Sequence, residues 1–307
     1  IRNLLGSLIV LFFGASLGPE AALVALLGGL ITYVADRRKI AEDQRSDLIE
    51  FGVGTSLGVI FMTPLFGVGR SVERDDWQVV TESKLQKYVL YIFTTFTGFI
   101  GYLLTYSIFP NQEQVFAIRR MESSFTWQGL LLVIPMILLG ALFGKFFLVL
   151  RERGEKLNQR IRNPLPLAIF AGILLGLLGT ISPYFLFSGE HNLLSFTRQA
   201  ETMNFFHLLL IGFGKVAITM ICLACNWRGG TIFPMIFASI ATGLAFANLL
   251  PYSPGLLVAV FTASACAVIM KQSLATACLF LLLFPVELFL WIWLAGYLGN
   301  LFLQRIP

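Results

Sequence analysis

The stretch GASLGPEAAL, residues 14–23, decides the fold because it breaks an apolar region with glycine, proline and a carboxylate. The run LLGSLIVLFF (4–13) precedes it, and an apolar segment continues from it to residue 35. Irregular backbone at bilayer depth is tolerated only where protein or a cavity surrounds it. A carboxylate is expensive there as well. The stretch therefore predicts a buried break with a function.

The composition predicts an integral, multi-pass, all-α membrane protein. Of 307 residues, 57% are hydrophobic and 13% are charged, with a mean hydropathy of +0.79. Soluble domains contain roughly 25% charged residues. The net charge of +5 indicates loop charge that sets orientation, with membrane lipid and not nucleic acid as the partner.

Apolar segments of two lengths alternate along the chain. A membrane-spanning helix needs about 20 residues. Five segments are long enough: 84–109, 126–150, 164–184, 204–227 and 285–303. Others are short or broken: 1–13, 20–35, 48–62, 64–73, 234–250, 254–270 and 273–284. This mixture predicts helices that stop inside the bilayer.

The breaks recur in the same order in both halves of the chain. They fall at 14–20 and 62–67, then at 227–234 and 271–276. Paired broken segments in two halves indicate a transporter binding site. We predict one transmembrane domain over 1–307, with a first repeat of roughly 1–109 and a second of roughly 126–307.

Loop charge predicts that these repeats are inverted. Lys and Arg number four in 36–47 and five in 151–162, whereas the corresponding second-half loop, 247–255, has none. Positively charged loops stay in the cytoplasm. We therefore expect the first two loops on the cytoplasmic side and the third on the external side.

Two helix starts carry the predicted chemistry. Pro19 and Pro234 suit a first helical turn, and Gly18, Gly229 and Gly230 allow close approach of a ligand to the backbone. The first N–H groups of a helix lack internal partners and carry partial positive charge. Two such starts at one point form an anion site without a buried cation. The alternative is that both motifs are ordinary caps or kinks.

Five stretches in order resemble the CLC family of voltage-gated chloride channels and H⁺/Cl⁻ exchangers. They are GASLGP (14–19), TPLFGVGRSVE (63–73), ISPYFLFSGEHNLL (181–194), KVAIT (215–219) and GGTIFP (229–234). The resemblance implies a CLC-type inverted repeat of broken, tilted helices. It also implies chloride transport, a homodimer with one pore per subunit, no cofactor, and the bacterial inner membrane.

The resemblance also implies roles for single residues. Backbone N–H groups of Leu17, Gly18, Thr231 and Ile232 take anion-binding positions. The surrounding pore motif comprises Gly14, Pro19, Gly229, Gly230 and Pro234. Leu17 takes the position of the family's gating glutamate. Because leucine can neither block the site nor carry a proton, we expect passive conduction.

Glu20 and Glu73 keep H⁺-coupled exchange open as the alternative. Glu20 is either a displaced gate or a first-turn acid stabilised by the dipole of its own helix. We favour the second, since the family's gate precedes the helix. At the family's internal proton glutamate an ungapped match places Arg74, with Glu73 adjacent. Glu73 is either a substitute for that glutamate or a solvated interfacial residue.

Lys215 lies within an apolar stretch, where a cation is a functional candidate. It raises the positive potential along an anion path, pairs with an acid such as Glu190, or extends to the interface. The resemblance places the family's serine motif before Ile1 and its coordinating tyrosine after Pro307. We therefore expect a fragment, and keep a non-transporting relative as a third alternative.

The sequence contains no nucleophile–base pair and no nucleotide motif. Cys222 and Cys225 have C-x-x-C spacing, but no second cysteine pair or histidine cluster accompanies them. We predict neither an enzyme nor a metal site.

Overall fold

In a computed structural model, the structure describes residues 2–39, 42–60, 63–73, 84–108, 123, 125–161, 165–250, 252 and 254–304. Within these ranges the chain forms thirteen α-helices and two 3-10 turns, with one isolated β-bridge and no extended strand. The all-α prediction is confirmed.

The first half contains α1 (Arg2–Phe12), α2 (Glu20–Arg38), α3 (Glu42–Ile60), α4 (Pro64–Glu73) and α5 (Lys84–Ile108). The second half contains α6 (Trp127–Arg160), α7 (Leu165–Ile181), α8 (Leu193–Ala200), α9 (Phe205–Ala224), α10 (Ile232–Ala247), α11 (Pro254–Met270), α12 (Ser273–Phe280) and α13 (Phe289–Gln304). The 3-10 turns are Pro183–Phe185 and Val286–Leu288.

Among the described residues, four segments are long and apolar enough to cross a membrane: Val89–Ile108, Trp127–Arg160, Phe205–Ala224 and Val286–Gln304. The predicted span 164–184 is shorter than expected, because α7 ends at Ile181 after 17 residues. Ser182 stops that helix, since its side chain accepts a hydrogen bond from the N–H of Tyr184 and starts the 3-10 turn. The chain thus has the predicted mixture of long and short helices.

The centre of the molecule is α11, which is buried from Gly255 to Ile269. It packs against α6, α10 and α13. Gly140 and Gly144 on α6 allow the closest of these approaches, because a Cβ at either would press on the carbonyl of Phe261 or Ala265. A helix that is apolar on all sides belongs in such a core.

The peripheral helices α1, α5 and α7 expose large apolar side chains. Phe12, Phe93, Leu104, Ile169 and Leu177 are examples. A monomeric soluble protein rarely exposes so continuous an apolar surface. These faces suit contact with lipid or with another membrane-embedded surface.

Candidate functional site

The two predicted helix starts meet at Gly18 and Gly230, although these residues are far apart in sequence. Gly18 N donates to the carbonyl of Gly230, and Gly230 N donates to the carbonyl of Gly18, each at 2.8 Å. This reciprocal pair is the isolated β-bridge. It joins the start of α2 to the start of α10.

Glycine is required on both sides of this bridge by the space available. A Cβ added to Gly18 or to Gly230 would overlap the carboxylate of Glu20. A Cβ added to Gly229 would overlap the side chain of Leu17. The pore-motif glycines therefore leave room for particular side chains.

Glu20 is the first residue of α2, yet its carboxylate lies at the start of α10. Only 5% of the residue is exposed. Oε1 accepts a hydrogen bond from the N–H of Phe233 at 3.2 Å, and the N–H of Ile232 also interacts with this carboxylate. Oε2 has no hydrogen-bond partner among the described residues. A carboxylate thus occupies the end of a helix that favours anions.

This placement is compatible with both interpretations of Glu20, because the carboxylate interacts with the N–H of Glu20 itself as well as with those at the start of α10. We favoured the first-turn acid because the family's gate precedes the helix, yet a residue inside α2 does reach the start of α10. The chain turns at Pro19, the N-cap of α2, so that the first helical residue points across to α10. The bond from Phe233 joins residues 213 positions apart.

Leu17 stands at the position that the resemblance assigns to the gating glutamate. Its side chain is fully buried against Gly229. Its N–H donates to the carbonyl of Ala15 at 2.8 Å, and that of Gly18 is used in the bridge. These two predicted anion-binding N–H groups are therefore already bonded to carbonyl oxygens.

The second predicted pair lies where expected, at the beginning of α10. Thr231 is the N-cap of this helix and Ile232 is its first residue. Pro234 follows within the first turn, where it costs no hydrogen bond. Sequence reasoning missed Phe233, whose N–H donates to Glu20. Its position one residue after Ile232 was the available signal.

Cavities lie on both sides of the bridge. One cavity, of about 480 Å³, is lined by Leu17, Pro19 and Glu190, and we call it the outer cavity. It lies at the end of α7 opposite the charged segment 151–160, on the side that loop charge predicts to be external.

The inner cavity, of about 670 Å³, is lined by Thr231 and Ile232 together with three basic residues. These are Arg70, Arg151 and Lys271. A further cavity of about 320 Å³ reaches Gly229 and Gly230 from the same side as Arg151. The glycine bridge thus lies between residues that line the outer cavity and residues that line the inner ones.

Lys215 is fully buried, so it does not extend to the interface. Its Nζ donates to the carbonyls of Tyr184 at 3.0 Å and Leu186 at 3.1 Å, and to that of Phe187. Phe187 N in turn donates to the carbonyl of Gly14 at 2.9 Å. Lys215 therefore fixes the wall of the outer cavity and, through it, the loop that precedes α2.

Thr219, one turn after Lys215 on α9, holds the same loop. Its hydroxyl lies 2.8 Å from the carbonyl of Lys215 and 3.0 Å from that of Ser16, and 3.2 Å from the Ser16 hydroxyl. Sequence reasoning missed this contact, although the spacing in KVAIT places both side chains on one helix face.

Glu73 ends α4 and accepts hydrogen bonds from the N–H groups of Leu274 at 2.6 Å and Ala275 at 3.0 Å. It is half-buried and stabilises the start of α12, a contact that the sequence did not predict. It also lines the inner cavity. Arg74 lies outside the described residues.

Known proteins share this architecture. The structure of a CLC-type fluoride/proton antiporter superposes on 97% of this chain, with 18% sequence identity and a TM-score of 0.76, and the match covers 72% of that antiporter chain. For a slow cyanobacterial Cl⁻/H⁺ antiporter the values are 97%, 19%, 0.70 and 71%. With sequence identities this low, the two superpositions show a shared fold alone.

Curated relatives match over a shorter region. The YfeO proteins of Salmonella newport (strain SL254) and Salmonella agona (strain SL483), whose name proposes ion transport, are 35% identical over 95 residues. That region is 30% of this chain and 22% of each relative.

The sequence model described as "Voltage gated chloride channel" matches residues 1–304. The match extends over both helix starts, both cavities and the core helix α11. The chain belongs to the voltage-gated chloride channel family.

Proposed function

We propose that this protein carries small monovalent anions, with chloride as the first candidate, across a membrane and that Glu20 is the gate. The observation that supports this proposal is the carboxylate of Glu20 at the N-terminus of α10. Pro19, next to it in sequence, lines the outer cavity, and Ile232 at that N-terminus lines the inner cavity. Two helix starts joined by a glycine bridge surround it.

A carboxylate and a halide compete for the same N–H groups. While Glu20 accepts from Phe233, an anion cannot use that donor. When the carboxylate leaves or is neutralised, the partial positive charge of α10 becomes available to an anion. Backbone donors bind an anion weakly enough for release, as conduction requires.

Proton-coupled exchange is the second candidate function. The expectation of passive conduction assumed that no carboxylate stands at the gate, and Glu20 removes the reason for that assumption. The unpartnered Oε2 offers a place for a proton. The two structural relatives described above are named as proton antiporters, which also supports this candidate.

We further propose a homodimer in a bacterial inner membrane. The family resemblance supports the homodimer, and exposed apolar side chains on α5, including Phe93 and Leu104, offer a face for a second subunit. The Salmonella relatives support a bacterial membrane.

Anion and proton fluxes measured together in proteoliposomes test the proposal. Liposomes that contain the full chain are loaded with chloride, and the external chloride concentration and pH are followed simultaneously. We expect chloride release above that of empty liposomes. Chloride-driven proton movement against its gradient would establish exchange, and its absence would establish passive conduction.

Glu20→Gln keeps the size of the side chain and removes its charge. We expect it to abolish proton movement while chloride movement continues. The matched control is Glu201→Gln, which changes an exposed acid at the end of α8. If Glu20→Gln and Glu20→Ala both behave as the unmodified protein does, Glu20 is not the gate.

A further inference from the structure

A second acid, Glu190, borders the outer cavity and has no part in the mechanism above. It lies in the loop between the first 3-10 turn and α8, directly after Gly189, whose φ is 98°. Its side chain is only 10% exposed. The Ser188 hydroxyl donates to its Oε2. This acid is therefore held in place next to the pore.

Glu190 lies at the meeting point of two cavities. It lines the outer cavity together with Leu17 and Pro19, and it lines a narrow apolar cavity together with Phe233. Phe233 supplies the N–H that holds Glu20. Glu190 thus adjoins both elements that position the gate.

Three titratable groups face Glu190 from the surrounding elements. His191 Nε2 lies 3.9 Å from Oε1, and this histidine side chain is 61% exposed. Glu20 on α2 and Lys215 on α9 both interact electrostatically with it. The other described residues that line these two cavities are apolar, apart from Ser188 and Asn192. Ionisable groups therefore run from the surface to the gate.

The electrostatic interaction of Glu190 with Lys215 accounts for only part of this arrangement. The three hydrogen bonds of that ammonium group go to backbone carbonyls. Glu190 faces Ser188 and His191 instead. Glu190 therefore borders the outer cavity without being held by Lys215 through a hydrogen bond in the described part of the chain.

We propose that Glu190 passes protons between the external solution and Glu20. The inference rests on the proposed function, and specifically on exchange. A proton from external water or from the His191 imidazolium forms an O–H bond at Glu190 as its former bond breaks. From Glu190 the proton passes to the carboxylate of Glu20, where a new O–H bond forms as the one at Glu190 breaks. Return of the proton reverses both steps, and no electron is transferred.

The test measures the rate of proton flux against external pH for Glu190→Gln in proteoliposomes. We expect the flux at neutral pH to fall by about tenfold, less than the hundredfold or more typical of a direct acid–base group, because water still reaches the cavity. If proton delivery to Glu20 becomes about tenfold slower, an about tenfold higher external proton concentration restores its rate. The curve of proton flux against external pH should therefore shift by about one unit to lower pH. Chloride movement through uncoupled Glu20→Gln should not change on adding Glu190→Gln.

Glu190→Asp keeps the carboxyl group and should restore most of the flux, whereas Glu201→Gln is the matched control. His191→Gln alters an exposed residue and should shift the profile in the same direction by a smaller amount. It provides the test if Glu190→Gln does not fold.

Failures of the two proposals give different results. If Glu20→Gln abolishes proton flux while Glu190→Gln and His191→Gln leave the pH profile unchanged, only the role of Glu190 is wrong. If Glu190→Gln lowers chloride and proton flux equally, Glu190 is a structural residue. If Glu20→Gln itself has no effect, the proposed function fails.

Discussion

Replacing Gly230 by alanine tests the gate at the contact that holds it. The φ of Gly230 is not in the left-handed region, so alanine can adopt the same backbone conformation. The added Cβ would overlap the carboxylate of Glu20 and press on its Cβ at 2.8 Å. We expect the carboxylate to leave the start of α10.

The size of the effect follows from the lost hydrogen bond. A hydrogen bond to a charged group contributes about 1.5–3 kcal/mol. Each ~1.4 kcal/mol is a factor of ten, so the closed state should become about 10- to 100-fold less populated. Where gate opening limits transport, chloride efflux rises toward that factor and the proton coupled to each chloride falls.

Chloride efflux from proteoliposomes measures this, and a double variant isolates the cause. In a Glu20→Gly background both the carboxylate and the Cβ of residue 20 are already absent, so Gly230→Ala should add nothing. Gly176→Ala is the control, because nothing lies within 4 Å of a Cβ at that position. Equal efflux for Gly230→Ala and the unmodified protein would refute the reasoning, as would full additivity with Glu20→Gly.

Three further predictions concern the scaffold. Lys215→Met leaves three carbonyl groups without their hydrogen-bond donor and should lower the free energy of unfolding by ~3 kcal/mol, measured by thermal unfolding in detergent. Lys215→Arg should lower it less, and unchanged stability of Lys215→Met would contradict a structural role for these three hydrogen bonds. Glu73→Gln weakens the hydrogen bonds that cap α12 and should lower the free energy of unfolding by ~1 kcal/mol without changing proton flux. Loss of proton flux at unchanged stability would place Glu73 on the proton path. Gly140→Ala places a Cβ against the carbonyl of Phe261 and should lower the free energy of unfolding by about 1–3 kcal/mol. Gly176→Ala on α7, where the Cβ would contact nothing, should not destabilise the fold.

Helix boundaries were largely predictable because they depend on local features. Prolines, glycines and the length of each apolar run predicted α4 and α11 to the residue. They also located the starts of α2 and α10 to within two residues. The inverted orientation of the repeats rests on loop charge and stays a prediction.

The chemistry of the site was less predictable because its contacts join distant residues. The sequence identified both helix starts, and it left Glu20 with two interpretations, a displaced gate or a first-turn acid. Periodicity within α2 places Glu20 on a helix face, but it does not show which neighbouring helix that face meets. The same is true of Glu73, whose partners on α12 are about 200 positions away.

What the sequence determined by itself was the medium and the breaks: an apolar chain in a membrane, with Gly and Pro exposing helix N–H groups at depth. The tertiary structure decided which groups meet there. It places the carboxylate of Glu20 on α10, buries Leu17 against Gly229, and encloses Lys215 in carbonyls. The physical reason is that composition and local propensity act along the chain, whereas the position of a buried charge depends on the partners that packing brings to it.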